Sequence, residues 1–569
     1  MNALPAWLRD YRREWFAGDL TAGLIVTVML IPQSLAYALL AGLPPQVGLY
    51  ASLLPLVAYA LLGSSMTLAV GPVAVASLMT ASALQPLATP GSPEYVALAM
   101  QLALLSGVML LAFGALRLGF LAHFLSHPVI SGFITGSAVV IAVGQLPHLL
   151  GVKIQAHGVW ETLAALVHAL PQTQPVTLAL GGGSVLFLWL SRRFLARGLA
   201  RLGLAPGTSE LLTKLAPMAA VLVTTALVAG LGLAERAGVR IVGAVPQGLP
   251  SLTVPLPSLE TLGPLLLPAL LISLVGFVES VSVAQSLALK RQERIRPNRE
   301  LVGLGAANLA SAVSGGYPVT GGFARSVVNF AAGARTPLAG VISAALMALV
   351  VASFTGLFHH LPHAVLAATI VVAVTSLIDT HTLKEAWRYD RGDALSLLAT
   401  AAGVIALGVE AGIAIGVACS LGVLVWRSSH PHIAVVGRVP GTEHFRNVER
   451  HRVETVPGLL ALRVDESLYF GNANVIEDRI EARLAADPGI RQVLLVCPAV
   501  NLIDTTALGV LTELQRSLAR RGIALSLSEV KGPVMDRLRG TPLGQALEGQ
   551  IHLSTHEAFE QARRTLGAV

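Results

Sequence analysis

Cysteine is nearly absent from this 569-residue chain, occurring only as Cys419 and Cys497. One falls in an apolar segment and one in the C-terminal tail, so neither a disulfide framework nor a cysteine metal cluster can be built. Both read as buried, inert thiols. Charge is scarce as well. Asp, Glu, Lys and Arg make up 12% of the residues against 54% hydrophobic, a balance that excludes an all-soluble fold and implies a polytopic membrane protein with some soluble part. The net charge of +7 does not indicate nucleic acid, because the basic residues gather at the ends of apolar runs on alternate connections. A cleavable leader is lacking too: Met1 to Asp19 is basic and amphipathic, with Arg9, Arg12 and Arg13, and has no small-residue cleavage site after a short apolar core. No catalytic constellation, metal site or cofactor motif is expected.

What the chain does have is apolar runs. They lie near 20–40, 48–63, 73–88, 97–116, 126–146, 175–195, 214–233, 263–289, 300–314, 323–334, 337–357, 362–378, 393–408 and 410–427. Several fall short of the ~20 residues a full crossing needs, and the shortest contain or follow Gly and Pro, as half-helices buried in protein would. Charge tests the count. Numbered as fourteen crossings from a cytoplasmic N-terminus, the even exits carry Arg117, then Arg192, Arg193, Arg197, Arg201 and Lys214, then Lys290 to Arg299, Arg335, Lys384, Arg388, Arg391 and Arg427. The odd exits carry only Lys153, Arg236 and Arg240. That asymmetry places both termini in the cytoplasm; the expected location is the plasma (inner) membrane, crossed many times. The expected division is a cytosolic N-terminal segment over 1–19, a membrane domain over 20–430, and a cytosolic linker with a compact α/β domain over 431–569.

Two stretches inside this apolar part cannot be ordinary helix. Tyr317-Pro-Val-Thr-Gly-Gly322 is extended and turn-prone before a short helical run from about Phe323, and Met66-Thr-Leu-Ala-Val-Gly-Pro-Val-Ala-Val-Ala-Ser77 breaks likewise at Gly71-Pro72. They precede the tenth and third segments, which correspond in two halves of seven. Because seven is odd, the second half enters from the opposite side, so the repeats are inverted and the two broken helices can face each other near the midplane. Each N-terminus brings roughly half a positive charge and free N–H groups. Their meeting point is an anion site. Arg325, in the first turn of the second short helix, is a cation where the helix dipole disfavours one, and it makes sense if something negative binds there.

Other polar residues at membrane depth are few. Glu279, in Leu274-Val-Gly-Phe-Val-Glu-Ser-Val-Ser-Val-Ala-Gln-Ser286, either neutralises Arg325 or takes up a proton and links that charge to transport. Gln33 and Tyr37 stand one helical turn apart and share a face. His359, His360 and His363 read as an outer loop. After Arg427 the pattern alternates short β-rich runs with amphipathic helices: strands at Gly458 to Val464, Ser467 to Phe470, Arg491 to Cys497 and Ala524 to Leu527, helices near 473–486, 506–521 and 532–539, and a terminal strand and helix.

Pro45-Gln-Val-Gly-Leu-Tyr-Ala51, Pro32-Gln-Ser-Leu-Ala-Tyr37, Gly71-Pro72 and Gly322-Phe-Ala-Arg-Ser326 together resemble the SulP family of anion transporters, whose relatives include prestin and pendrin. The tail looks like a STAS domain, with Asp504-Thr505-Thr506-Ala507 where that fold carries Asp-Ser-Ser-Gly. The resemblance implies fourteen helices in two inverted repeats, a core (segments 1–4 and 8–11) moving against a gate (5–7 and 12–14) as an elevator, and a homodimer. It implies substrate contacts from Gln33, Tyr37, Val73, Ala74, Gly322, Phe323, Ala324, Arg325 and Ser326, mostly through backbone N–H groups. It makes Glu279 the coupling residue and Thr506 a phosphoacceptor position, although Asp504 and Thr505 also read simply as a helix cap. Sodium-driven bicarbonate members carry Asp, Thr and Thr where this chain has Glu279, Val283 and Phe323, so the oxygens a sodium ion would use are missing and a proton is the expected coupling ion. The expected function is secondary transport of a small anion, sulfate first, with bicarbonate, dicarboxylates such as fumarate or succinate, or anion exchange as alternatives.

Overall fold

The computed structural model describes residues 5–123, 126–154, 156, 158–203, 209, 212–213 and 215–567. Lys214 and the first four residues of the N-terminal segment lie outside them. The chain forms two compact units, Met1–Ser420 and Leu421–Val569.

Every apolar run becomes helix. In order these are α1 (Phe16–Leu40), α2 (Leu54–Leu62, preceded by a short helix Pro45–Tyr50), α3 (Ala74–Leu84), α4 (Pro93–Ala115), α5 (His127–Leu150), α6 (Pro175–Leu190), α7 (Ala216–Leu231), α8 (Leu259–Leu289), α9 (Pro297–Val313), α10 (Phe323–Ala331), α11 (Leu338–Ser353), α12 (His363–Thr375), α13 (Arg391–Leu407) and α14 (Val409–Ser429). Eight helical stretches among the described residues are long and apolar enough to cross a membrane, whereas α3, α7 and α11 are shorter. At 1.5 Å per residue, the 11-residue α3 and the 9-residue α10 reach only about halfway across a ~30 Å core.

Packing sorts these helices into two groups. Within the first, α9 lies against α4 and α2, and α11 against α1 and α2. Within the second, α5 packs on α12 and α13, and α12 on α6. Segment numbers seven apart exchange roles in these pairs: α4–α9 answers α11–α2, and α5–α13 answers α12–α6. This is the packing of an inverted repeat. The α4–α9 crossing is close because Gly107 and Gly305 meet there, and a Cβ on either would come within 3.0 Å of backbone of the other helix.

Two fully buried acids tie connections to helix starts. Asp19 accepts hydrogen bonds from the Arg335 and Thr336 N–H groups at 2.6 and 2.9 Å and from the Thr336 hydroxyl at 2.7 Å. The expected N-terminal segment ending at 19 therefore overlaps α1, which begins at Phe16. Glu300 accepts from the Tyr59 hydroxyl (2.6 Å), the Ser64 N–H (2.7 Å) and hydroxyl (2.6 Å), and the Ser65 N–H (3.0 Å). Both carboxylates are saturated, the condition for burying such a group.

Sequence reasoning missed two amphipathic helices, Val159–Ala169 and Thr380–Tyr389, and a helical continuation past α6 that runs through a π turn at Ser191–Leu195 to Arg201. The arginines at 192, 193, 197 and 201, tallied as a connection, stand on that continuation.

The second unit is a six-stranded sheet ordered β4-β3-β5-β6-β7-β8, from β3 (Ile433–Arg438), β4 (Phe445–Asn447), β5 (Leu459–Val464), β6 (Gln492–Val496), β7 (Ala524–Ser528) and β8 (Ile551–His552). Strands β5 to β8 are parallel and β3 is antiparallel to both neighbours. Its helices include α15 (Ala473–Ala486), α16 (Thr505–Arg520), α17 (Gly532–Leu538) and α18 (Thr555–Leu566). Strands β3 and β4 fall where a linker is expected. Conversely, Ser467 to Phe470 makes only an isolated bridge, Leu468 to Ile503. Cys497 is buried in this unit's apolar core, and burial pushes its thiol up to about 12. Asp465 pays a desolvation cost that raises its carboxyl, but hydrogen bonds from Arg463 and His432 outweigh it and hold the carboxyl below its ordinary value.

Candidate anion-binding site

The two helix breaks meet. Val70–Gly71 (β1) and Thr320–Gly321 (β2) form a two-stranded antiparallel ribbon, Val70 opposite Gly321 and Gly71 opposite Thr320, and the Gly322 N–H extends it to the Ala69 carbonyl at 3.0 Å. Each chain then turns into its short helix, α3 after the cap residue Val73 and α10 after Gly322. No side chain caps either one. The first-turn N–H groups of both helices are therefore left for a ligand.

Four positions after each cap stands a serine, Ser77 or Ser326. Ser77 Oγ lies 2.8 Å from its cap carbonyl, Val73 O, and 2.8 Å from the Tyr317 hydroxyl of the other break. Ser326 Oγ lies 2.7 Å from its own, Gly322 O, and accepts from the Ala69 N–H of the other break at 2.9 Å. Ribbon and serines together pin the two half-helices to one another. A further strap holds β2 to α8: the Ser280 and Thr320 hydroxyls are 2.7 Å apart, both within reach of the Gly276 carbonyl, and Ser280 Oγ accepts from the Gly321 N–H.

Three positions after the cap the two differ in charge, with Ala76 in α3 and Arg325 in α10. Arg325 is 2% exposed, yet its Nη1 and Nη2 have no hydrogen-bond partner among the described residues. The guanidinium lies along the ribbon: a Cβ built on Gly71 would sit 3.4 Å from Nη1 and one on Gly322 would sit 3.0 Å from Nη2. Gly71 also has φ +151°, which disfavours any side chain. The reading of Glu279 as a neutralising partner is not met by contact, since neither terminal nitrogen reaches its carboxylate. A buried guanidinium without an anion is costly by several kcal/mol, and an incoming anion removes that cost.

Both half-helix N-termini open on one cavity of about 400 Å³. Gln33, Tyr37, Val73, Ala74, Glu279, Gly322, Phe323, Ala324 and Arg325 all line it. Ser326 does not. Its hydroxyl is spent on Gly322 and Ala69 and its N–H on the Gly322 carbonyl, so the expectation that it joins the site gives way to a cross-linking position. The far wall comes from α6 and its continuation, α7 and α12, with Arg192, Pro217 and Thr369 among its residues. The sequence carries little signal for this wall, because apolar residues on an apolar helix do not stand out. Arg192 could have been found, since it falls inside an apolar run; its guanidinium donates to the Val372 carbonyl.

Elsewhere, His363 opens α12 and faces His148 of α5, ring centroids 6.3 Å apart, while His359 and His360 lie against each other. No cluster of three or more metal-ligating residues occurs among the described residues. In the second unit Asp504 caps α16, accepting from the Ala507 N–H at 2.8 Å, and Thr506 is exposed in its first turn.

Known proteins share this fold. The sulfate permease family matches residues 16–400 and the STAS domain residues 450–558. A probable sulfate transporter of Mycobacterium tuberculosis is 36% identical over 98% of this chain and 97% of its own. Sulfate transporter 4.1, chloroplastic, of Arabidopsis thaliana is 35% identical over 92% of this chain and 76% of its own. Among solved structures, the murine Slc26a9 anion transporter in the inward-facing state superposes with a TM-score of 0.89 at 23% identity, covering 99% of this chain and 94% of that one. The transmembrane domain of the cyanobacterial bicarbonate transporter BicA gives 0.60 at 26% identity, covering 71% and 98%. With two inverted seven-helix repeats followed by a STAS domain, this multi-pass membrane protein, a transporter and not an enzyme, belongs to the sulfate permease family.

Proposed function

We propose that the protein is a secondary active transporter of small oxyanions, sulfate first among them, working by proton symport. The observation that carries this reading is the Arg325 guanidinium, buried with both terminal nitrogens unpartnered beside two uncapped helix N-termini. An anion in the cavity meets N–H groups of Val73, Ala74, Phe323 and Ala324 from two sides, with Gln33 and Tyr37 on the flank. Glu279, on the same cavity, takes up the proton that offsets its repulsion of the anion, so charge and proton cross together. The sulfate transporters among its relatives support the choice of substrate. A site made mainly of backbone donors selects charge over shape, and bicarbonate, fumarate or succinate, carried alone or in exchange, are the alternatives.

Movement follows the elevator scheme. The cavity is walled on one side by α1, α3, α8 and α10 and on the other by α6, α7 and α12, so sliding the first group against the second would carry the bound anion across. The working unit is a homodimer in the plasma (inner) membrane, and the basic connections support cytoplasmic termini. Thr506, exposed beside the cap of α16, is the residue a kinase would modify in the STAS domain. Purified protein in liposomes, given labelled sulfate, bicarbonate or fumarate with and without an inward proton gradient, tests the proposal. Sulfate accumulation driven by the gradient is expected, and accumulation indifferent to it would overturn the symport. Uptake should survive deletion of 440–569; its complete loss in a folded truncation would favour a signalling role for the tail.

A further inference from the structure

A second cavity, of about 430 Å³, lies at the other end of the helices that carry Glu279 and Arg325. α8 ends at Leu289, and the chain reverses through Gln292, a non-glycine residue at φ +57°, with the Glu293 N–H returning to the Ala288 carbonyl at 2.9 Å. This turn lays Arg291 on the ring of Phe330, near the C-terminal end of α10, with the guanidinium carbon 4.3 Å from the centroid. Nη1 of Arg291 is buried there with no hydrogen-bond partner among the described residues.

Arg294 and Arg335 join Arg291 on the cavity wall, and Trp7 and Trp15 of the N-terminal segment close it. Trp7 is fixed by its own hydrogen bond, Nε1 to the Ala60 carbonyl at 2.7 Å. The acids nearby do not answer these cations. Asp19 and Glu300 are saturated by the groups described above, and Asp10 is turned to Arg9 at 3.2 Å. That leaves Glu293 against three guanidinium groups.

We propose that this cavity is an anion site distinct from the substrate cavity, taking a phosphate or diphosphate group presented by a lipid headgroup or by a free phosphate anion. Guanidinium forks match such groups, and the occupied site would bridge the N-terminal segment to the ends of α8 and α10.

The test uses full-length protein in phosphatidylcholine nanodiscs with Trp160, Trp189, Trp387 and Trp426 changed to Phe, so that Trp7 and Trp15 report. Inorganic pyrophosphate is titrated at constant ionic strength. A saturable fluorescence change is expected, weakened about tenfold by Arg291→Gln and tightened about threefold by Glu293→Gln, which keeps every arginine. Arg325→Ala should leave the titration unaltered. Nanodiscs containing phosphatidic acid separate the sources: blocked titration assigns the site to a headgroup, and unchanged titration assigns it to a soluble anion. A response that never saturates, or one that neither Arg291→Gln nor Glu293→Gln shifts, refutes the site. So does a shift with Arg325→Ala as large as that with Arg291→Gln, because the ion would then be read in the substrate cavity.

Discussion

The two helix breaks share one geometry and differ in chemistry. Each runs from a two-residue strand through an uncapped turn into a short helix, with a serine four positions on that reaches the opposite break. At the third position one has Ala76 and the other Arg325. Duplication supplies two uncapped helix starts, and only the second carries a charged side chain in its first turn. On the proposed reading, the inverted repeats set where an anion sits, and the charge that selects it comes from one half only.

That asymmetry can be broken most severely at Arg325. Arg325→Ala removes two charge-assisted donors and should lower apparent sulfate affinity roughly 100-fold or more in liposome uptake, whereas Ala76→Gly, its counterpart, should leave affinity within about twofold. Unchanged affinity in the first variant would discredit the anion assignment. Gly71→Val comes next. Its φ and its place beside the guanidinium predict a loss of about tenfold or more in uptake with the protein still monodisperse, while Val73→Ala should be tolerated because alanine keeps the N–H offered to the anion. Glu279→Gln is milder at acid pH. The amide imitates the protonated carboxyl, so uptake should no longer rise as external pH falls, and a mutant that still followed an imposed proton gradient would end the coupling role. The smallest effects belong to the serines: Ser77→Ala and Ser326→Ala should each cost about 1 kcal/mol in thermal stability, and similar costs for the two would confirm that they do the same job.

Much of this was legible because membrane insertion imposes simple rules. Apolar runs and basic connections located fourteen helices, and Gly-Pro breaks located the two that stop short. The far wall of the cavity was not legible, since Thr369 and Pro217 look like any other residues of an apolar helix. Nor was Ser326's role, because a motif marks a position as fixed without saying whether the ligand or the fold fixes it. Asp19 stood in the sequence only as the last residue of the N-terminal segment; the tertiary structure shows it buried under the Arg335–Thr336 turn. Strands β3 and β4 escaped because they precede the alternation that marks the α/β unit.

The ribbon between the breaks also constrains how the molecule is made. Ala69 and Ser326, joined by a hydrogen bond, are 257 positions apart in the chain. At roughly 5–20 residues per second, a ribosome that has released the first break needs on the order of 10–50 seconds more to deliver its partner. During that interval β1 and the N-terminus of α3 lack their protein partners at membrane depth, where unpaired backbone is costly. The first repeat must therefore wait in the bilayer incomplete, shielded by lipid defects, water or an insertion chaperone, and the anion site closes only in the second half of synthesis.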